Sequence, residues 1–135
     1  MSERLYKELA ATGVAKLRFD GAFYTQYSKS LAILEAQGFI VGTHAIGGRY
    51  VDGLWLQDPK YVVYLCALYE DQSKMDRLVQ LLESCTPGQW LRGEEIAVDL
   101  QLPRPVIQAL FQLYEAQGLG HCSQESGAVR YVGRA

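Results

Sequence analysis

Apolar residues recur at helical spacing in six stretches, with alternating or turn-rich segments between them. Leu5 and Leu9 mark the inner face of a helix over 3–12, ended by Gly13, and Phe23, Tyr27, Leu31 and Leu34 mark one over 22–37. Between them Ala15-Lys-Leu-Arg-Phe19 alternates small or apolar with basic residues, the period of a half-buried strand with Lys16 and Arg18 in water. Asp20-Gly21 is a turn signal. Residues 39–43 and 49–56 are expected as strands around Ala45-Ile-Gly-Gly48, which has the glycine a tight hairpin requires.

The second part of the chain opens at Asp58-Pro59, a cap followed by a proline at the first position of a helix over 59–70. That helix, Tyr61-Val-Val-Tyr-Leu-Cys-Ala-Leu-Tyr69, is apolar nearly all round. It must be buried, either between the two halves or against a second copy of the chain, so a homodimer through 59–70 is one expectation. Met75, Leu78, Leu81 and Leu82 stripe a helix over 74–84, and Thr86-Pro-Gly-Gln-Trp-Leu91 supplies a connecting strand.

Residues 92–131 carry the strongest local signals. Glu94, Glu95, Ile96, Ala97 and Leu100 form a turn and a half of helix with its acids at the positive end. Pro103 and Pro105 restart the chain, and proline is tolerated in a first helical turn because its missing N–H is unpaired there anyway. In the helix over 103–117, Val106, Ile107, Leu110, Phe111 and Tyr114 fall on one stripe while Gln108, Gln112 and Glu115 face away. Gly118 stops it in the left-handed region, and a hairpin over 120–132 follows.

One ending occurs twice. Leu34-Glu-Ala-Gln-Gly38 matches Tyr114-Glu-Ala-Gln-Gly118, and Arg49-Tyr-Val51 matches Arg130-Tyr-Val132 one residue further on. A shared order of helix end, glycine stop and returning strand implies an internal duplication. The alternative is an ordinary helix exit used twice.

Short helix, tight turn, longer helix and two-stranded wing make the C-terminal part resemble the winged helix-turn-helix superfamily. The resemblance implies an α+β fold: a winged-helix module over 74–135, an apolar connecting helix within 59–73, and a related or degenerate helix-plus-hairpin module over 1–58. The first module departs from the pattern, because too few residues separate Phe19 from Gly38 for two helices of ordinary length and a turn. Either the first helix of the pair is reduced, or this is a different α+β unit. The family reads DNA bases from the start of its second helix, which here places Arg104 and Gln108, with Gln101 and Gln112, at the groove, Arg130 on the wing, and Arg92 near phosphate; the alternative is that Arg104 pairs with Glu94 or Asp99 and that Gln108 and Gln112 are solvated surface. Lys29 and Arg49 would be the corresponding contacts of the first module.

Composition narrows the function. The 135 residues are 49% apolar and 21% charged, enough to bury one core or two small ones. No apolar run approaches a membrane span and the first residues lack the apolar region of a signal peptide, so a cytoplasmic location is expected. Three widely spaced cysteines are expected as reduced thiols. His121 and Cys122, with Cys85, lack the paired short spacing of a zinc site, and no metal or cofactor is expected. Adjacent Glu94 and Glu95 point about 100° apart on a helix and so do not form an acid–base pair. No loop has the Gly-Lys-Ser/Thr ending of a phosphate site, and an enzyme is not expected. Net charge is −2 and no part of the chain is basic, which counts against binding a polyanion. Two classes stand. One is a duplex-DNA-binding protein, such as a transcription regulator, favoured by Arg104, Gln108 and Arg130. The other is a protein-interaction module or assembly subunit, similar to the tandem winged helices of chromosome-partitioning and sorting complexes, favoured by the charge.

Overall fold

The structure, a computed structural model, describes residues 1–44, 50–125 and 128–133. Its first half runs α1 (Ser2–Thr12), β1 (Lys16–Leu17), α2 (Gly21–Gln26), α3 (Ser28–Ala36), β2 (Val41–His44) and β3 (Tyr50–Trp55). Then come α4 (Pro59–Tyr69), α5 (Gln72–Glu83), β4 (Trp90–Arg92), α6 (Gly93–Leu100), α7 (Arg104–Ala116), β5 (Gly120–Glu125) and β6 (Ala128–Gly133). The fold is α+β, with two small antiparallel sheets of strand order β1-β3-β2 and β4-β6-β5. Setting α4 aside, both halves run helix, strand, helix, helix, strand, strand, and in both the last strand is central. Among the described residues no helix is long and apolar enough to cross a membrane.

Local chemistry sets the boundaries. The Asp58 carboxylate accepts the Lys60 N–H at 2.9 Å and starts α4 with Pro59 in its first turn, and Asp71 caps α5 through the Ser73 N–H. Leu5, Tyr6 and Leu9 of α1 are buried, as are Tyr61, Val62, Leu65 and Cys66 of α4. Helix α4 packs on α1 and on α7, so one side of its apolar sequence is buried between the halves, with Tyr64, Leu68 and Tyr69 left exposed.

The two Glu-Ala-Gln-Gly segments do the same work. Gly38 and Gly118 have φ of 81° and 76°, and their N–H groups donate to the carbonyls of Glu35 and Glu115. Phe39 and Leu119 donate to Leu34 and Tyr114, which completes the same two-bond helix exit in each half. Both glutamates then reach the next strand. Glu35 accepts the Gly42 N–H at 3.0 Å and faces His44 Nε2 at 2.6 Å; Glu115 accepts the Cys122 N–H and faces His121 Nδ1 at 3.2 Å. Each ties a helix end to an edge strand.

Three expectations are corrected. The helix expected over 22–37 is two helices, broken at Tyr27 (φ −107°, ψ 18°). Tyr27 still donates to Phe23 and accepts from Leu31, so the apolar period runs through the break and hides it. The span from Leu17 to Gly42 is six residues shorter than the equivalent one from Leu91 to Cys122, and the first half of the chain meets that shortage with short helices. The Arg-Tyr-Val match is out of register. Cys122 pairs with Tyr131, whereas its counterpart Gly42 pairs with Leu54, so Tyr131 corresponds to Leu54 and not to Tyr50. Arg49 and the loop Ala45-Ile-Gly-Gly48 lie outside the described residues. Finally, the strand expected over 86–91 starts at Trp90, because Thr86 to Gln89 closes a turn with Gly88 at φ 82°.

Candidate functional site

The surface that the sequence singles out is built by α6, the turn after it, α7 and the sheet beside them. On α7, Pro105, Val106, Ile107, Ala109, Leu110 and Phe111 are buried, and at 100° per residue these positions cover about two-thirds of the helix circumference. One side stacks Phe111 on Tyr131, with ring centres 5.3 Å apart; α4 also packs against the helix. The remaining narrow stripe carries Arg104 and Gln108, half-buried, then Gln112 and Glu115, exposed. Arg104, Gln108 and Gln112 are therefore brought onto one solvent-facing stripe, as the spacing predicted. Gln101 is exposed in the turn at φ 54° and ψ 47°, a left-handed conformation unusual for a side-chain-bearing residue, and its carbonyl accepts from Lys74 Nζ at 3.1 Å.

The charges are arranged as pairs. Arg104 Nε lies 3.4 Å from Glu94 Oε1, and the same oxygen accepts the Val129 N–H at 2.9 Å. Partial burial disfavours the charged carboxylate. The N–H groups of Val129 and of Glu94 itself, with Arg104 and Arg130 nearby, outweigh that and hold Glu94 below the ordinary glutamate range. Glu94 thus ties α6 to β6 and α7, more than the dipole-facing surface charge its position at a helix start suggests. Adjacent Glu95 faces Arg92 Nη1 at 3.4 Å, with both side chains exposed. Arg92 sits directly opposite exposed Arg130 across β4 and β6. Asp99 on α6 and Glu115 on α7 add two further exposed carboxylates.

The residues assigned to the first module are not brought to an equivalent place. Lys29 is exposed on α3, but alignment of the two helix exits sets it opposite buried Ala109, one turn and more beyond Arg104. Among the described residues no three His, Cys, Asp or Glu side chains converge as metal ligands. The pairing of Arg104 with Glu94 is one the sequence offers as an alternative, whereas the ties of Glu94 to Val129, of Glu35 and of Glu115 were missed by sequence reasoning. The recurrence of glutamate three residues before each glycine stop was the available signal for the last two. No family model, curated protein or solved structure matches the chain.

Proposed function

We propose that the chain is a tandem winged-helix module that docks a protein partner on the surface formed by α6, α7 and the second sheet. The repeated order of parts and the repeated strand order of the two sheets support the tandem winged-helix reading. The observation that carries the choice of partner is the pairing of Arg104 with Glu94 and of Arg92 with Glu95. Affinity for duplex DNA grows with the number of phosphates a protein neutralises, and cations already answered by carboxylates contribute little to that sum. Asp99 and Glu115 beside the same stripe oppose a phosphate backbone, whereas a mixed set of arginine, glutamine and carboxylate groups suits the polar rim of a protein interface.

A second reading, duplex DNA, is favoured by one observation: Arg104, Gln108 and Gln112 share the exposed stripe of α7, where they could meet base edges. A photo-crosslinking amino acid at Gln112, in the source cell, separates the two. A discrete protein adduct that is lost when Arg104→Ala is added supports the protein reading; adducts to duplex DNA in place of it would transfer the assignment to the second.

A further inference from the structure

Helix α4 carries more apolar residues than the chain itself covers. Its inner side, Tyr61, Val62, Leu65 and Cys66, is buried against the rest of the molecule. At 100° per residue Lys60, Tyr64, Ala67 and Leu68 share an arc of about 100° on the opposite side, and all four are exposed, Tyr64 at 57% and Leu68 at 49%. Tyr64 is also braced: its ring lies over that of buried Tyr61 at 6.4 Å, and Tyr61 stacks in turn on Phe39 at 5.4 Å. A braced, exposed aromatic beside an exposed leucine has the form of an interface anchor, and a helix apolar nearly all round calls for cover on both sides.

The stripe complements itself when a second copy lies on it in the opposite direction. Setting Tyr64 level with Ala67 of the other copy sets Ala67 level with the other Tyr64, and Lys60 level with the turn that follows the other α4. Each tyrosine then lies over the smallest side chain of the stripe and against Leu68, which lets the helices approach closely. The ends match as well. Lys60 stands in the first turn of its own helix, the positive end of the dipole, where a cation is disfavoured. In the pair it comes to the negative end of the neighbouring helix, beside Asp71, which is exposed in the turn after α4. Asp71 Oδ1 already accepts the Ser73 N–H, and Lys74 and Arg77 are near, so the added ion pair is a weak one that sets direction more than strength.

We propose that α4 pairs with α4 of a second copy, antiparallel about a two-fold axis, with Tyr64 of each packed on Ala67 and Leu68 of the other. Both copies use the same patch, so the assembly closes as a dimer and goes no further. One pair of three-turn helices lies at the small end of specific interfaces, below about 1,200 Å² in all, and a dissociation constant roughly in the micromolar range is expected. The contact uses no residue of the α6–α7 surface and does not depend on what that surface binds.

Sedimentation equilibrium of the full chain over rising concentration tests this. The expected mass climbs from the 15.1 kDa monomer to twice that value and stops there. Ala67→Glu and Leu68→Glu change exposed positions, so circular dichroism should stay that of the wild type while association weakens at least ~10-fold. Lys60→Glu and Asp71→Asn, the second of which keeps a side-chain cap on α5, should each weaken it about two- to five-fold. In an equal mixture of isotope-labelled and unlabelled protein, zero-length carbodiimide coupling should join Lys60 of one copy to Asp71 of the other. A wild type that stays monomeric to about 1 mM overturns the proposal and leaves the stripe to a different partner. Association that Ala67→Glu and Leu68→Glu leave unchanged, or that passes beyond the dimer, overturns it as well, and a dimer without coupling of Lys60 to Asp71 between copies overturns its direction.

Discussion

Replacing Gly120 by alanine tests the packing that holds β5 and β6 to α7. The new Cβ would sit on Cζ and Oη of Tyr131 and 2.5 Å from its Cε2, where carbon–carbon contact needs about 3.5–4.0 Å. The ring must therefore move by more than about 1 Å. It has little room. Tyr131 is 1% exposed, stacked on Phe111 and edge-on to Tyr114 at 6.2 Å. Overpacking of a tight core typically costs about 1–3 kcal/mol, and a shift this large in a ring held on two sides belongs near the upper end. For a chain of this size each kcal/mol is worth roughly 3–5 °C, so Gly120→Ala should lower Tm by about 10 °C. Thermal and denaturant unfolding of the wild type, Gly120→Ala, Tyr131→Leu and the double variant give the measurement. The smaller leucine should remove most of the alanine penalty, giving a coupling above about 1 kcal/mol. A Gly120→Ala variant melting within a degree or so of wild type, or strictly additive losses, would refute the reasoning.

Three further outcomes follow from the same packing. Glu94 titrates below its ordinary 4.5 when folded, so its contribution is present above that pH and is lost as pH falls through the lower folded value; Glu94→Gln should flatten the acid limb of the stability profile, and an unchanged limb counts against the tie. Leu65, fully buried on α4, should cost about 2–5 kcal/mol as alanine, and Val63→Asp with Leu65→Asp should unfold the chain, both read by circular dichroism. Cys66 is buried with its Sγ 3.5 Å from Met75 Sδ, and burial pushes its thiol up to about 11. A thiol reagent at pH 8 should leave Cys66 unlabelled until denaturant is added, whereas equally fast labelling of all three cysteines contradicts its placement.

Local signals proved legible and long-range ones did not. Asp58-Pro59, Pro103, Pro105, Gly13 and Gly118 act within one helical turn, and the elements they bound stand within a few residues of where they were expected. The single stripe of α7 foretold which of its residues face water. Tyr27 breaks a helix without breaking its period, so periodicity alone reads through it. The strand register depends on which residues face each other across a sheet, and three matching letters at Arg130-Tyr-Val132 carried no information on that. The ion pair of Arg104 with Glu94 joins residues ten apart, and the tie from Glu94 to Val129 spans thirty-five, distances at which sequence spacing can at most offer a pair as one alternative. In the sequence Arg104 reads either as a base contact or as a partner of Glu94 or Asp99, and in the fold its Nε stands 3.4 Å from Glu94 Oε1.

Fluorescence anisotropy of a labelled random-sequence duplex, at low and at moderate salt, tests the central claim that the cations of the α6–α7 surface are neutralised from within. The wild type should give no salt-dependent rise, and a Glu94→Gln, Glu95→Gln variant, with Arg92 and Arg104 released, should gain binding that salt weakens. Wild-type binding that falls steeply with salt and disappears in an Arg104→Ala, Arg130→Ala variant would contradict the claim and make the surface a reader of duplex DNA.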